Sequence, residues 1–468
     1  MHALLATSIG VTCAAALTLP LAAPAASVSA PVAQAAGATA AEPSGSTQSL
    51  PLRPLTGETS RATGESTDSR SLSPDSAQGL GQRNAHRFSL VGVVWDDADA
   101  ELHGTVQVRT RSTATARWTG WQGLETHNAD HGADTGSAER ESATVRGSTA
   151  PLWVGDSDGV QVRVRAEAAQ NRAGGSAPLP EGLRVELVDP GDDPQQPPAA
   201  GTPGTGTATP VTSPQPGALP ATGALTVAAA ESSAVNADLA PLGATEIAAL
   251  SKAESEEQAV VAAGAKPFVG PRPRIVTRKG WGADESLRER SFAYTTTVKA
   301  AFIHHSATGN NYTCAQAPSV LRSIYRYHVK SSGWRDFGYN FAVDKCGNIY
   351  EGRAGGVTKA VLGAHTLGFN SNSMGIAVLG TYSSKNPPAA SVTAIAKLTA
   401  WKLGLFGRNP KAKVTLVSGG SGKYKKGAKA RLNVISGHRD GFATDCPGGR
   451  LYKKLGTART SSANLQGR

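Results

Sequence analysis

Ala300-Ala301-Phe302-Ile303-His304-His305 decides how this chain is read. Four apolar residues run unbroken into two histidines, the pattern of a buried strand that delivers chemistry at its end. Adjacent strand residues face opposite ways, so only one of the two histidines is expected at a site. Downstream, Val320, Leu321, Ile324, Tyr325 and His328 recur at helical spacing. Tyr339 to Ile349 predicts two strands around the turn Asp344-Lys345-Cys346-Gly347-Asn348. Met374 to Leu379 reads as a strand. Pro388 to Phe406 reads as a second helix, with Val392, Ile395, Leu398, Leu403 and Phe406 apolar and Gly407 ending it. Leu432 to Ser436 reads as a strand that ends at Gly437-His438. Strands interleaved with helices predict a mixed α/β sheet with flanking helices over residues 268–468.

Upstream, the grammar changes to strands alone. Phe88-Ser89-Leu90-Val91-Gly92-Val93-Val94-Trp95 stops at the turn signal Asp96-Asp97. Val106–Arg109, Val160–Arg165 and Leu183–Val188 alternate apolar with polar residues. Residues 85–191 are therefore expected to form an all-β sandwich. Within them Gly155-Asp156-Ser157-Asp158-Gly159 fits G-x-S-x-G, but a strand and not a helix follows, so a hairpin turn is the better reading. Trp118, Trp121 and Trp153 are expected in the core, with stacking on sugar rings as the other use.

Gly (53) and Pro (28) are abundant and aromatics make up only 5% of the 468 residues, so much of the chain is not expected to bury a core. Residues 37–84 and 192–267 have linker composition and are expected to be disordered, with a weak Ala/Glu helix near 245–264. Ala3 to Ala22 is apolar, and Ala33-Gln34-Ala35 is a small-residue cleavage signature, so residues 1–36 are expected to be a signal peptide. Only His2 precedes the apolar run where a Lys or Arg is usual. Export implies an oxidising compartment. No later run is long enough for an integral membrane span.

The net charge of +11 is unevenly spread. Residues 271–468 hold 31 Lys and Arg against 8 Asp and Glu; the first 270 hold 16 against 28. A basic domain behind an acidic half suggests a polyanionic partner. The run Lys423, Lys425, Lys426, Lys429 and Arg431 lacks the interleaved aromatics of a nucleic-acid site, so no nucleic-acid partner is expected. Gly419-Gly420-Ser421-Gly422-Lys423-Tyr424 lacks the first Gly and the Ser/Thr of a phosphate loop.

Four cysteines and no C-x-x-C exclude a disulfide-dense scaffold and a zinc ribbon. His304, His438 and Cys446 are the candidate ligands left at strand ends and in loops. Two imidazoles and a thiolate suit Zn²⁺ and leave a fourth position open, as a hydrolytic metal needs. Ten His and four Cys make chance triples easy, so the trio by itself leaves a chance grouping open.

Five segments in order narrow this. They are Phe302-Ile303-His304-His305-Ser306-Ala307, Trp334-Arg335-Asp336-Phe337-Gly338-Tyr339-Asn340-Phe341, Tyr350-Glu351-Gly352-Arg353, Gly363-Ala364-His365-Thr366 and Gly437-His438-Arg439-Asp440, the last continuing to Cys446-Pro447-Gly448. Together they resemble the peptidoglycan recognition protein family, which shares its fold with zinc N-acetylmuramoyl-L-alanine amidases. The resemblance covers Arg274 to about Leu455, and the all-β domain resembles the one attached to secreted actinobacterial members. It implies one Zn²⁺ per chain on His304, His438 and Cys446. It also implies Tyr339 and Thr444 as catalytic neighbours of the metal, and His365 and Asn370 in a substrate groove. Binding-only members typically lack the Cys ligand, so Cys446 implies an enzyme.

The expected reaction is hydrolysis of the amide between the lactyl group of N-acetylmuramic acid and L-alanine. The alternative is a non-catalytic peptidoglycan-binding module. The expected partner is peptidoglycan, with anionic wall polymers as a second candidate, and the expected location is outside the cell or in its wall. Glu351 and Arg353 are expected as a structural pair in the sheet. Cys314 and Cys346 lie away from the ligand segments, and export permits a disulfide between them.

Overall fold

The computed structural model of the chain describes residues 45–55, 76–126, 130–167, 178–193, 225–263 and 268–468. The expected signal peptide, 1–36, lies outside them, as do 56–75 and 194–224 of the two expected linkers.

The N-terminal part is one antiparallel sheet. Its strands are β1 (Ser46–Pro51), β2 (Arg53–Pro54), β3 (Ala77–Trp95), β4 (Gly104–Ser112), β5 (Gln122–Leu124), β6 (Gly147–Ser148), β7 (Leu152–Ala166) and β8 (Arg184–Asp189), in the order β1-β8-β3-β7-β4-β5. β2 and β6 both pair with β3. Register shifts along β3, between Leu80 and Leu90, bend the sheet around its own core. Val106, Val108, Val160, Val162, Val164, Val185 and Leu187 fill that core. The unbroken run Phe88–Trp95 fails to alternate because both faces of β3 are covered there. Leu90, Val94, Trp153 and Val188 face the other way, into a second core shared with Tyr327, Phe337 and Tyr339 of the C-terminal part.

Gly155–Gly159 lies inside β7, and Ser157 Oγ donates to Gly155 O (3.0 Å), so the expected hairpin turn is instead a stretch of strand. Of the three tryptophans only Trp153 is core. Trp118 and Trp121 are half-buried; Arg109 stacks on both, and Arg163 also stacks on Trp121.

The C-terminal part is a mixed seven-stranded sheet with helices on it. β9 (Glu246–Ile247), β10 (Ile275–Val276), β11 (Ala300–His305), β12 (Phe341–Val343), β13 (Ile349–Glu351), β14 (Ser373–Val378) and β17 (Ile435–Gly437) lie in the order β17-β11-β14-β12-β13-β10-β9. β15 (Lys413–Val417) and β16 (Lys429–Asn433) form a separate hairpin. The strand expected over 432–436 is thus two strands in different sheets. Helices α4 (Ala389–Leu405) and α5 (Leu455–Gln466) supply Ile395, Leu398, Leu455 and Ala458 to the core over Ile303 and Ile376. α3 (Ala317–Arg326) supplies Val320, Leu321 and Ile324 to the shared core. Cys314 and Cys346 are joined, tying the start of α3 to the β12–β13 turn.

Two segments expected as linkers carry structure. Residues 37–84 include β1, β2 and the start of β3; β1 pairs with β8 along all six residues. Residues 192–267 include α1 (Val227–Ala234), β9 and α2 (Lys252–Ala263). They dock through scattered apolar residues, Ile247 and Ala259 in the core with Leu239 and Ala240 against it, and through polar contacts; neither leaves an apolar stripe in the sequence. Asn236 donates to Glu351 Oε1 (2.8 Å) and accepts from Val357 N (2.9 Å), and Ser255 accepts from Arg272 N (2.9 Å).

Glu351 and Arg353 do not pair with each other. Glu351 takes Asn236 and Arg278 N, while Arg353 takes Glu139 of the N-terminal part. Burial pushes the Glu351 carboxyl up from an ordinary 4.5 to about 7, against the opposing pull of Asn236 and Arg278. A carboxyl raised on folding holds an extra proton in the folded state, so its contribution to stability is full below pH 4.5 and lost as pH rises through 7. Glu351→Gln removes that titration. Its stability relative to wild type is expected to improve by roughly 3 kcal/mol between pH 4.5 and pH 8, read by chemical denaturation. A pH-independent difference would sink this account.

Candidate metal centre

β11 and β17 run parallel and side by side, with Ile303 opposite Gly437, so the chain leaves both strands at the same end. His304 stands near the end of β11, and His438 opens the single helical turn His438–Gly441 directly after β17. The carboxyl ends of parallel strands are where ligand sites collect in α/β sheets. Cys446 returns beside them, held by Arg439 N donating to its carbonyl (3.0 Å) and by its own N–H donating to Thr444 Oγ1 (3.2 Å). The His304 and His438 ring centroids are 4.5 Å apart, and Cys446 Sγ is 3.7 Å from His304 Nδ1. All three side chains are fully buried.

A fourth donor joins them. His131, from the N-terminal part, stands 4.4 Å from His438 and 5.2 Å from His304 between ring centroids. One donor atom from each of His131, His304, His438 and Cys446 lies within 4.8 Å of the others. His131 Nδ1 pairs with Asp130 Oδ1 at 2.9 Å, and its Nε2, like both nitrogens of His438, is buried without a hydrogen-bond partner. Buried imidazole nitrogens seldom go unpaired, so these point to a ligand. Burial lowers His304 well below its usual range and His438 to about 3, which keeps both rings neutral, the form that ligates. Burial also pushes the Cys446 thiol up, so a cation is needed to hold it as thiolate. Imidazoles and one thiol in tetrahedral reach fit Zn²⁺.

The other predicted residues surround this cluster unevenly. The Tyr339 ring is 5.2 Å from His304, and burial raises its phenol so that it keeps its proton. Thr444 is half-buried at the rim. His365 lies beneath, its ring 5.3 Å from that of His304; it rests against β14 at Gly375, where any Cβ would collide with it. Asn370 Oδ1 accepts from His365 N (2.7 Å) and Thr366 N (3.0 Å), while its amide turns to the N-terminal part. Thr366 bridges the site, with Oγ1 3.0 Å from His365 Nδ1 and 3.4 Å from His304 Nε2. His305 turns away, toward Glu125 and Tyr382 N.

Sequence reasoning found no site residue in the N-terminal part and so missed His131, Asp130 and Glu125. Burial pushes the Asp130 carboxyl up, yet the adjacent His131 and His438 hold it below its ordinary range. Its Oδ2 lies 3.8 Å from His438 Nδ1. No period marks such a loop; its one local signal is a His between Asp130 and Gly132.

Comparison with known proteins places both parts of the chain in known families. Residues 294–449 match the N-acetylmuramoyl-L-alanine amidase family, and residues 31–200 match the Rv3811 N-terminal galactose-binding domain-like family. Peptidoglycan-recognition protein SC2 of Drosophila simulans is 32% identical over 183 residues, which is 39% of this chain and 85% of that protein. The chain belongs to the peptidoglycan-recognition protein and N-acetylmuramoyl-L-alanine amidase family. A human N-acetylmuramoyl-L-alanine amidase is 32% identical over 212 residues, 43% of this chain and 32% of its own. Among solved structures, wild-type Drosophila PGRP-LB aligns at 27% identity over 39% of this chain and 93% of its own, with a TM-score of 0.32. The amidase match spans His304, Tyr339, His365, Asn370, His438, Thr444 and Cys446, whereas His131 falls in the other matched domain. Among the described residues no helix is long and apolar enough to cross a membrane.

Proposed function

We propose that this chain is an exported, Zn²⁺-dependent amidase that hydrolyses the bond between the lactyl group of N-acetylmuramic acid and L-alanine in peptidoglycan. The convergence of buried His304, His438 and Cys446 at one strand end carries the reading. Zn²⁺ held by these residues supplies Lewis-acid polarisation of the amide carbonyl and a nucleophile at neutral pH. His304 is oriented for this by Thr366, which holds Nε2 and leaves Nδ1 toward Cys446. Tyr339, protonated because it is buried, donates a hydrogen bond to the oxyanion that develops on the carbonyl. Thr444, whose Oγ1 accepts from Cys446 N (3.2 Å), would help position the attacking water at the rim. His365 and Asn370 shape the groove floor through the 365–370 loop. The Cys314–Cys346 disulfide supports an oxidising compartment, and therefore export and action at the wall. Exposed Lys423, Lys425 and Lys426, in the β15–β16 connection, offer a face for anionic wall polymers.

The full chain is incubated with purified peptidoglycan, long enough to read slow turnover, and the products are analysed by mass spectrometry. Stem peptides with a free amino-terminal L-alanine are expected to appear, to vanish with chelator and to return with Zn²⁺. Absence of such peptides from both this chain and its folded His131→Ala variant overturns the reading; retention on the sedimented wall would then leave a binding module.

A further inference from the structure

The connection between β5 and β6, residues 125–146, is long, and among its described residues (125–126 and 130–146) none lies in a strand or helix. Loops beyond about 12–15 residues are usually functional. Its described residues lie across the metal centre and are tied down at successive points. Leu367 N donates to Asp130 O (2.9 Å). Asn370 Nδ2 donates to Gly132 O (2.8 Å) and to Asp134 Oδ1 (2.7 Å), and Gly368 N donates to the same carboxylate (2.7 Å). Arg353 grips Glu139 with two bonds of 2.8 Å, both partners buried, and Arg335 N adds a third at 3.2 Å. Thr144 Oγ1 donates to Gly333 O (3.0 Å), and a Cβ at Gly333 would collide with the Thr144 carbonyl.

We propose that this loop is an inhibitory plug: His131 supplies the fourth protein donor to the metal and Asp130, Asp134 and Glu139 fasten the loop over the groove, so the chain is latent until the loop is displaced. The inference rests on the amidase reading. Four protein donors make a closed, structural kind of zinc site, whereas a hydrolytic site keeps one position open. His131 is built as a ligand: Asp130 fixes its Nδ1, which leaves Nε2 for the metal, the carboxylate–histidine arrangement common around zinc. Beneath the loop, the cavity between Glu125, His131, His305 and Tyr339 is about 10 Å³, roughly the minimum for one water, so the loop packs closely there. The plug is also separable from its domain. Leu90, Val94, Trp153 and Val188 anchor the domain through the shared apolar core, while the described residues of the loop are held by hydrogen bonds, by the Glu139–Arg353 ion pair and by the approaches of Glu125 to His305 and Asp130 to His438. Displacing the loop alone therefore leaves the two parts docked.

The test compares full-length wild type, His131→Ala, and Asp134→Ala combined with Glu139→Ala, which keeps all four donors; thermal melts establish that each is folded. Zn²⁺ affinity is read by competition with a chromophoric chelator, stem-peptide release by mass spectrometry and wall binding by sedimentation. His131→Ala is expected to weaken Zn²⁺ binding by at least about tenfold and to release stem peptides at least tenfold faster. The double variant is expected to release faster with a smaller loss of Zn²⁺. If His131→Ala holds Zn²⁺ as tightly as wild type, the proposal falls. It falls also if both variants release no faster than wild type, because the loop then assists catalysis or is neutral to it. If none of the three chains releases anything, the amidase reading falls by itself. The plug then stands only if both variants sediment with the wall at least tenfold more than wild type, and is overturned if they do not.

Discussion

Cys446→Ser is expected to strip Zn²⁺ from the chain and, in the His131→Ala background, to cut stem-peptide release by at least about a hundredfold. That bound is what partners outside the ligand shell alone can cost, and the proposed site places Cys446 in the shell itself. On that proposal its thiolate would bring the one negative charge among the four donors. A serine hydroxyl at that depth stays protonated and offers a neutral oxygen of poor affinity for zinc. Burial raises the Cys446 thiol, so metal binding must expel its proton. Zn²⁺ affinity of wild type is therefore expected to rise with pH more steeply than that of Cys446→Ser. Metal content after dialysis and the rate of L-alanine-terminated peptide release are the two readouts. A Cys446→Ser chain that keeps one Zn²⁺ and its rate would remove Cys446 from the site.

What could be read from the chain beforehand follows from the range of each physical signal. α3 and α4 announce themselves because burial of a helix face imposes a local period, and β11 and β14 because burial on both faces leaves an unbroken apolar run. His304 and His438 were legible because each directly follows such a signal. β1 was not: Ser46–Pro51 has no apolar alternation and is a strand only because β8 offers it a full edge. The docked segment around α1 and α2 was missed because it is held by isolated apolar residues such as Ile247 and Ala259 and by hydrogen bonds of Asn236 and Ser255, none of which makes a period in the sequence. His131 was invisible for the strongest reason. It reaches the cluster from a different domain, and nothing within the loop says what it meets. The charge split pointed outward to a polyanion, yet part of it is used inside the molecule, where Glu139 meets Arg353 and Asp193 meets Arg322.

Arg278→Met is expected to lower the thermal midpoint of the full chain by roughly 10 °C, the consequence of about 3–5 kcal/mol lost when a buried ion pair loses one partner. Arg278 is buried, and its guanidinium serves three acceptors. It makes a fork onto Glu285 (2.8 and 3.2 Å), one bond to Asp336 Oδ1 (3.1 Å) and one to Gly352 O (2.5 Å). Burial opposes its charge, but Asp336 and Glu285 outweigh that and hold it firmly protonated. Without it Glu285 keeps Arg288, whereas Asp336 keeps only the backbone donors Phe337 N (2.7 Å) and Ala354 N (2.8 Å). Asp336 thereby starts the Phe337–Tyr339 stretch that sets the Tyr339 ring beside His304, and Arg353 fastens the same stretch by donating to Phe337 O (2.8 Å). The four metal donors lie outside this network, so Zn²⁺ affinity measured well below the melt is expected to stay within a few-fold of wild type. Arg278→Lys keeps the charge but loses the fork, and is expected to recover less than half of the lost stability. Combining Arg278→Met with Asp336→Asn removes the stranded carboxylate and is expected to be more stable than Arg278→Met alone. If the double variant is no better, the cost lies in lost packing against Trp281 and Tyr325 and not in the uncompensated charge.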